Sequence, residues 1–194
     1  MVEIAARLLC APASPPVASV TRFSTGHAAE DSRLVREARG GDASAFERLY
    51  ERYARVIHGV VLARVGRVDV DDLVQDVFLA AWARLATLRD PQAFGGWLTS
   101  IARRRAIDHH RRAVETTELP ADLEAPDAAA PRAEAIAVIE VVRSLPDAYR
   151  ETLVLRLVEG MTGQEIADRT GMTPASVRVN LHRGMRLLRD RLQR

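Results

Sequence analysis

Apolar residues recur every three or four positions along most of this chain, the spacing that gathers them on one face of an α-helix. Phe46, Leu49, Tyr50, Tyr53, Val56, Ile57, Val60 and Val61 form the first long stripe, opened by a Ser44/Glu47 capping box and ended at Gly66. Leu73, Val74, Val77, Phe78, Ala81, Trp82 and Leu85 form a second, capped by Asp69, with Asp71, Asp72, Gln75 and Asp76 on its outer side. The acids fall in the first turns of that helix, where the dipole favours negative charge. A short helix over Ser32–Arg39, ended by Gly40-Gly41, precedes both. Asp90-Pro91 then serves as cap and first position of a fourth helix, Gln92 to about Arg112, buried through Phe94, Trp97, Leu98 and Ile101. Strand-like alternation is absent, which predicts an almost entirely helical protein.

The stripes stop at Ala113. Residues 113–133 are rich in Pro, Ala and acids and read as a flexible linker. The pattern therefore predicts an all-α chain of two small helical domains, residues 30–112 and 134–194, behind a tail of residues 1–29. In the second domain a helix near Ala133–Ser144 gives way to a restart at Leu145-Pro146-Asp147. A further helix runs through Tyr149, Leu153 and Leu157 to a stop at Gly160. From Met161 onward the chain has the signals of a helix-turn-helix: a Thr162/Glu165 capping box, Gly171 for a left-handed end, Thr173 as the next cap and Pro174 at the first position. On the closing helix Val177, Leu181, Gly184, Leu188 and Leu192 share one side, and Val179, His182, Arg183 and Arg186 the other.

Charge sharpens this picture more by its distribution than by its sum of +2. Every one of the 28 basic residues is Arg. Glu115 to Glu140 hold seven acids and one Arg, whereas Arg178 to Arg194 hold six Arg and the single acid Asp190. Arg103 to Arg112 is a second basic stretch, so an acidic strip separates two surfaces suited to phosphate. No apolar run approaches the ~20 residues needed to cross a bilayer, so membrane insertion is not expected. The single cysteine, Cys10, excludes an internal disulfide or multi-cysteine zinc site and suits a reducing cytoplasm. In the tail, Glu3 and Arg7 interrupt the apolar patch ending at Leu8-Leu9-Cys10-Ala11, leaving it too short for a secretory signal. Pro12, Pro15 and Pro16 make disorder the expectation there.

Several segments together carry a family resemblance. In the first domain they are Gly41-Asp-Ala-Ser-Ala-Phe-Glu-Arg-Leu-Tyr, Asp72-Leu-Val-Gln-Asp-Val-Phe-Leu-Ala-Ala-Trp and Phe94-Gly-Gly-Trp-Leu-Thr-Ser-Ile-Ala-Arg-Arg-Arg-Ala-Ile-Asp. In the second they are Leu145-Pro, Gly160-Met-Thr-Gly-Gln-Glu-Ile-Ala and Ser176-Val-Arg-Val-Asn-Leu-His-Arg-Gly. In order and spacing these segments resemble bacterial RNA polymerase sigma factors, specifically the small extracytoplasmic-function (ECF) group that keeps only the second and fourth conserved regions. The resemblance spans about Glu30 to Arg194. It implies a non-enzymatic initiation subunit without a cofactor, whose partners are core RNA polymerase, promoter DNA and an anti-sigma factor.

The resemblance also implies residue roles. The helix bearing Asp71, Asp72, Gln75 and Asp76 matches the one that docks on the clamp coiled coil of the polymerase's large subunit. Leu85 to Arg112 matches the segment that reads the melted −10 element. There Arg103, Arg104, Arg105, Arg111 and Arg112 would supply a basic groove, and Trp97 or Phe94 a stacking platform, although both aromatics also fit the apolar stripe. The helix-turn-helix matches the module that reads the −35 element in duplex DNA, with Arg178, Asn180, His182, Arg183 and Arg186 toward base edges or phosphates. Helical phase turns Asn180 off the outermost face. A linker of about twenty residues spans at most ~70 Å, close to the two helical turns, ~70 Å, between sites on one DNA face. It would be nearly taut, so something else must hold the domains apart, and in the family core polymerase does.

Two other readings fit parts of the chain. A helix-turn-helix regulator that works without polymerase would need a ligand or receiver domain in the first half, where residues 30–112 show only helical stripes. Asp108-His109-His110 matches a short motif of metal-dependent phosphoesterases, and carboxylate with imidazole can hold a divalent ion. That triplet lies late in an Arg-rich helix without the strand-borne acids such a site requires. His27, His58 and His182 show no ligand spacing.

Overall fold

The computed structural model describes residues 27–116 and 130–193, with side chains from 28–112 and 137–193. Residues 1–26 of the expected tail, Cys10 among them, and residues 117–129 of the expected linker lie outside the described residues. Among the described residues there is no strand. The first domain consists of α1 (His27–Arg39), α2 (Ala43–Leu62), α3 (Val70–Arg84) and α4 (Phe94–Thr116). The second consists of α5 (Ala130–Arg143), α6 (Asp147–Leu157), α7 (Gly163–Thr170) and α8 (Pro174–Leu192).

The predicted stripes become the packing faces. Helix α2 lies at the centre of the first domain and packs on α1, α3 and α4. Its Phe46, Leu49, Tyr53, Val56, Ile57, Val60 and Val61 are all buried, while Tyr50 is half-buried. Phe46 meets Phe78 of α3 edge-on at 6.4 Å and Trp82 at 4.8 Å, the geometry that aromatic quadrupoles favour. Tyr53 meets Phe94 of α4 in the same way at 5.2 Å.

Element boundaries differ from the sequence expectation where a stronger local bond competes. Helix α2 is capped by Asp42, not by a Ser44/Glu47 box: Asp42 Oδ1 accepts from the Ser44 hydroxyl at 2.7 Å and from the Ser44 and Ala45 amides at 2.9 and 3.3 Å. Those bonds, the Ser44 hydroxyl first, lower the pKa of the Asp42 carboxyl, as expected for an ionised cap. Gly66 does not end α2, which stops at Leu62; it precedes a 3₁₀ turn over Arg67–Asp69. Asp69 stands at the N-cap of α3 without a capping side-chain bond. Asp90 does cap, accepting from the Gln92 amide at 2.9 Å, but it opens a 3₁₀ turn, Pro91–Ala93, before α4 starts at Phe94. Helix α1 begins earlier than its apolar residues indicate, and Arg33 links Glu30 and Glu37 along its surface at 2.7 and 2.6 Å. Helical backbone in α4 and α5 also occupies both ends of the segment read as linker.

The helix-turn-helix forms with the predicted caps. Thr162 and Glu165 make the reciprocal capping box, Gly171 adopts φ 73°, and Thr173 caps α8 with Pro174 at its start. The apolar side of α8 is covered through Val177, Gly184 and Leu188, Leu181 is half-buried, and Leu192 is 53% exposed, so that stripe ends one turn before the helix does.

Hydrophobic patterning does not foretell how the two domains sit. They are packed on each other, α2 against α6 and α7, and α4 against α7. Buried residues of both form one continuous core.

Candidate nucleic-acid interface

The outer face of α8 is a cationic surface built on a rigid element. Ala167, at 4% exposure, lets α7 lie close under α8, and Val177 anchors the start of α8 at 1%. Opposite this buried side Arg178, His182, Arg183 and Arg186 are exposed, and Asn180 is half-buried, as its helical phase predicts. Arg178, Val179, His182 and Arg183 line a shallow hollow of about 380 Å³. Among the described residues no acid pairs with these three arginines, so their donors stay available for phosphate or base edges.

In the first domain, α3 presents Asp71, Asp72 and Asp76 to solvent, with Gln75 half-buried beside them. Leu73, Val74, Val77 and Phe78 on the other side of the helix fix this face outward. The result is an anionic strip on a well-packed helix, suited to a basic partner surface.

Helix α4 distributes its predicted residues unevenly. Arg104, Arg111 and Arg112 are exposed and Arg105 is half-buried. Phe94 is fully buried, so it serves the core, whereas Trp97 is half-buried against it at 6.0 Å. Trp97 also borders a hollow of about 440 Å³ shared by Leu88, Asp90, Gln92 and, from the other domain, Asp168 and Gly171. Arg103 is half-buried and tied to an acid of the other domain. Its Nε and Nη2 donate to both oxygens of Glu151 at 2.9 and 2.7 Å, and Arg64 adds a third bond at 2.9 Å. Asp108 and His110 are exposed, and His109 lies 4.0 Å from Asp69. Among the described residues no group of three or more His, Cys, Asp or Glu side chains is placed to hold a metal ion.

Glu151 belongs to α6, and sequence patterning assigns it no role. Burial pushes its carboxyl pKa up, but Arg103, followed by Arg64, outweighs that, and the pKa ends below its ordinary value of 4.5. The same pairing raises Arg103. A carboxyl held below its unfolded value stabilises the packed arrangement above that value and loses this contribution as pH falls through the lower, folded one. Acidification below pH 4.5 should therefore loosen the contact between the domains. Energy transfer between dyes at exposed Val68 and Gln193 should fall in that window. The helical circular dichroism signal, read alongside, separates loosening from unfolding.

Comparison with known proteins accounts for both halves. Residues 49–116 match the model of Sigma-70 region 2, and residues 135–188 that of Sigma-70, region 4. The chain is 32% identical over 174 residues to the ECF RNA polymerase sigma factor SigD of Mycobacterium tuberculosis (strain ATCC 25618 / H37Rv), covering 82% of each chain. It is 31% identical over 181 residues to the RNA polymerase sigma factor NccH of Alcaligenes xylosoxydans xylosoxydans, covering 84% of this chain and 95% of that one. Among solved structures it resembles CnrH in complex with the cytosolic domain of CnrY, at 28% identity and a TM-score of 0.61, over 84% of this chain and 97% of that one. The chain belongs to the sigma-70 family of RNA polymerase sigma factors, in its ECF group. It directs RNA polymerase to promoters in transcription initiation, and a polymerase-independent regulator is not favoured, because the first half is itself a sigma region.

Proposed function

We propose that the functions of this sigma factor divide among three surfaces. Asp71, Asp72, Gln75 and Asp76 of α3 dock on basic residues of the polymerase clamp. Arg103, Arg104, Arg105, Arg111 and Arg112, with Trp97 as a stacking platform, hold the melted −10 strand. Arg178, Asn180, His182, Arg183 and Arg186 engage the −35 duplex. The observation that carries this division is the opposed placement of exposed charge: an acid-only strip on α3 and acid-free arginines on the outer face of α8. The domains work as 30–112 and 134–194, joined through the acidic segment 113–133. The chain acts in the cytoplasm without catalysis of its own, and no helix of its described residues is long and apolar enough to cross a membrane. A protein of the anti-sigma kind holds it inactive, a reading supported by the capture of the similar CnrH with the cytosolic domain of CnrY.

In vitro transcription with core polymerase over a genomic promoter library tests the whole reading. A restricted set of promoters sharing an upstream and a downstream element should be transcribed only when the chain is present. A chain that brings down no core polymerase would sink the docking assignment.

A further inference from the structure

The cationic outer face of α8 carries one group that has no part in its charge. Val179 is 45% exposed. At about 100° per residue, His182, Arg183 and Arg186 lie within about 60° of it around the helix, and Arg178 directly precedes it. Sequence patterning places it on the outer side and gives it no task. Other large apolar residues stand exposed one at a time, Val68 and Ile107 among them, as is ordinary on a protein surface. Val179 differs in what surrounds it and in how firmly it is aimed.

Its aim is set from the buried side. Val177, two residues earlier and so about 200° around the helix, is 1% exposed. A Cβ at Gly184 would stand 3.0 Å from Leu153 Cδ1 and 3.1 Å from Tyr149 Cβ, so α8 lies directly on α6 there. These contacts fix the rotation of α8, and a β-branched side chain keeps one strongly preferred rotamer in a helix, so the methyls of Val179 are fixed as well. Helical side chains lean toward the N-terminus, over the preceding turn. On this face that turn offers only Ala175 and Ser176, and the Ser176 oxygen is drawn back into the cap, accepting from the Thr173 hydroxyl at 2.8 Å. Val179 is therefore the projecting apolar group at the leading end of α8, in the hollow it lines with Arg178, His182 and Arg183.

A duplex that meets these arginines brings base edges to the same spot. Most of what a major groove presents is a hydrogen-bond donor or acceptor, which valine cannot answer. The exception is the C5 methyl of thymine. Against cytosine the same side chain would strip water from the N4 amino group and offer it no acceptor, which is a cost and not a neutral contact. We propose that Val179 reads a thymine methyl in the upstream element, and so makes one A·T pair, beside those met by Arg178 and Arg183, a requirement of the promoter. The proposal rests on the assignment of α8 to the −35 duplex and adds to it a residue and a base. Discrimination at that pair comes from shape and exclusion of water, where the arginines work by charge and directed bonds.

Deoxyuridine pairs as thymidine does and lacks only the methyl, so it probes this contact alone. The probe is a promoter selected from the genomic library by this chain with core polymerase, each thymine of its upstream element, on either strand, being replaced in turn. The holoenzyme should lose about fourfold in affinity at one position, the effect of one methyl removed from water. With Val179→Ala, thymine and uracil at that position should bind alike. Alanine is the better helix former at this exposed site, and an unchanged thermal melt verifies the fold. Two results would overturn the proposal. One is that no uracil lowers the affinity of the unaltered holoenzyme. The other is that the same loss persists in Val179→Ala, which would assign the methyl effect to DNA shape or to another side chain. Arg178→Ala with Arg183→Ala, measured in the same assay, separates the proposal from the assignment beneath it. Loss of affinity in that variant together with no response to uracil removes the thymine reading alone, whereas no loss removes the assignment of α8 as well.

Discussion

Reversing two charges on α3, Asp72→Arg with Asp76→Arg, should abolish recruitment of core polymerase while leaving the domain folded. Both side chains are exposed and one helical turn apart, so they face the same partner surface. Placing cations against a basic clamp costs several kcal/mol, and each ~1.4 kcal/mol is a factor of ten in affinity. The expected loss is at least about a hundredfold. The cost to the helix is far smaller: Asp72 lies in the first turn, where its interaction with the dipole contributes about 0.3–1 kcal/mol. Pulldown of core polymerase and the thermal melt of the variant, measured together, check both halves of this expectation. Retained polymerase binding would place the docking surface elsewhere than α3.

The same exposure explains why these residues are legible from the sequence while the contact between the domains is not. A cap is a bond between residues three apart, so Thr162 with Glu165, and Thr173 before Pro174, can be read directly. Even local reading fails where two candidates compete. Asp42 takes the α2 amides because a carboxylate is a stronger acceptor than the Ser44 hydroxyl, which itself donates to Asp42. Stripes predict which face of a helix is buried but not against what. The partners of Glu151 and Glu159 lie 48 to 104 residues away along the chain, and no periodicity encodes such a distance. Arg103 is the instructive case, since in sequence it is one of several arginines on a basic helix, and only the fold distinguishes it from Arg104 beside it. The one local trace of the contact between the domains is glycine where a helix does not want it, at Gly59 and in Gly95-Gly96, a sign of close approach that names no partner.

Removing the two leading arginines of α8, Arg178→Ala with Arg183→Ala, should reduce transcription from the cognate promoter by about a hundredfold or more, with polymerase binding unchanged. A good base contact contributes about 1–3 kcal/mol, and two independent losses add. Folding should not intervene. Both residues are exposed, neither pairs with an acid among the described residues, and alanine is the better helix former. The physics also separates reading from anchoring. If an arginine holds phosphate, its loss weakens binding to every sequence alike and lowers the salt dependence by about one unit of slope. If it reads a guanine, the loss is confined to the cognate upstream element, and discrimination at one base pair relaxes. Measuring each single variant on cognate and scrambled upstream elements at two salt concentrations resolves the role of each residue. Arg178, in the first turns of α8, is expected to show the base-reading pattern, because the N-terminal end of a recognition helix enters the major groove deepest. Arg186, two turns further on, is expected to show the phosphate pattern. Unchanged promoter use in the double variant would mean that another face of the second domain meets DNA.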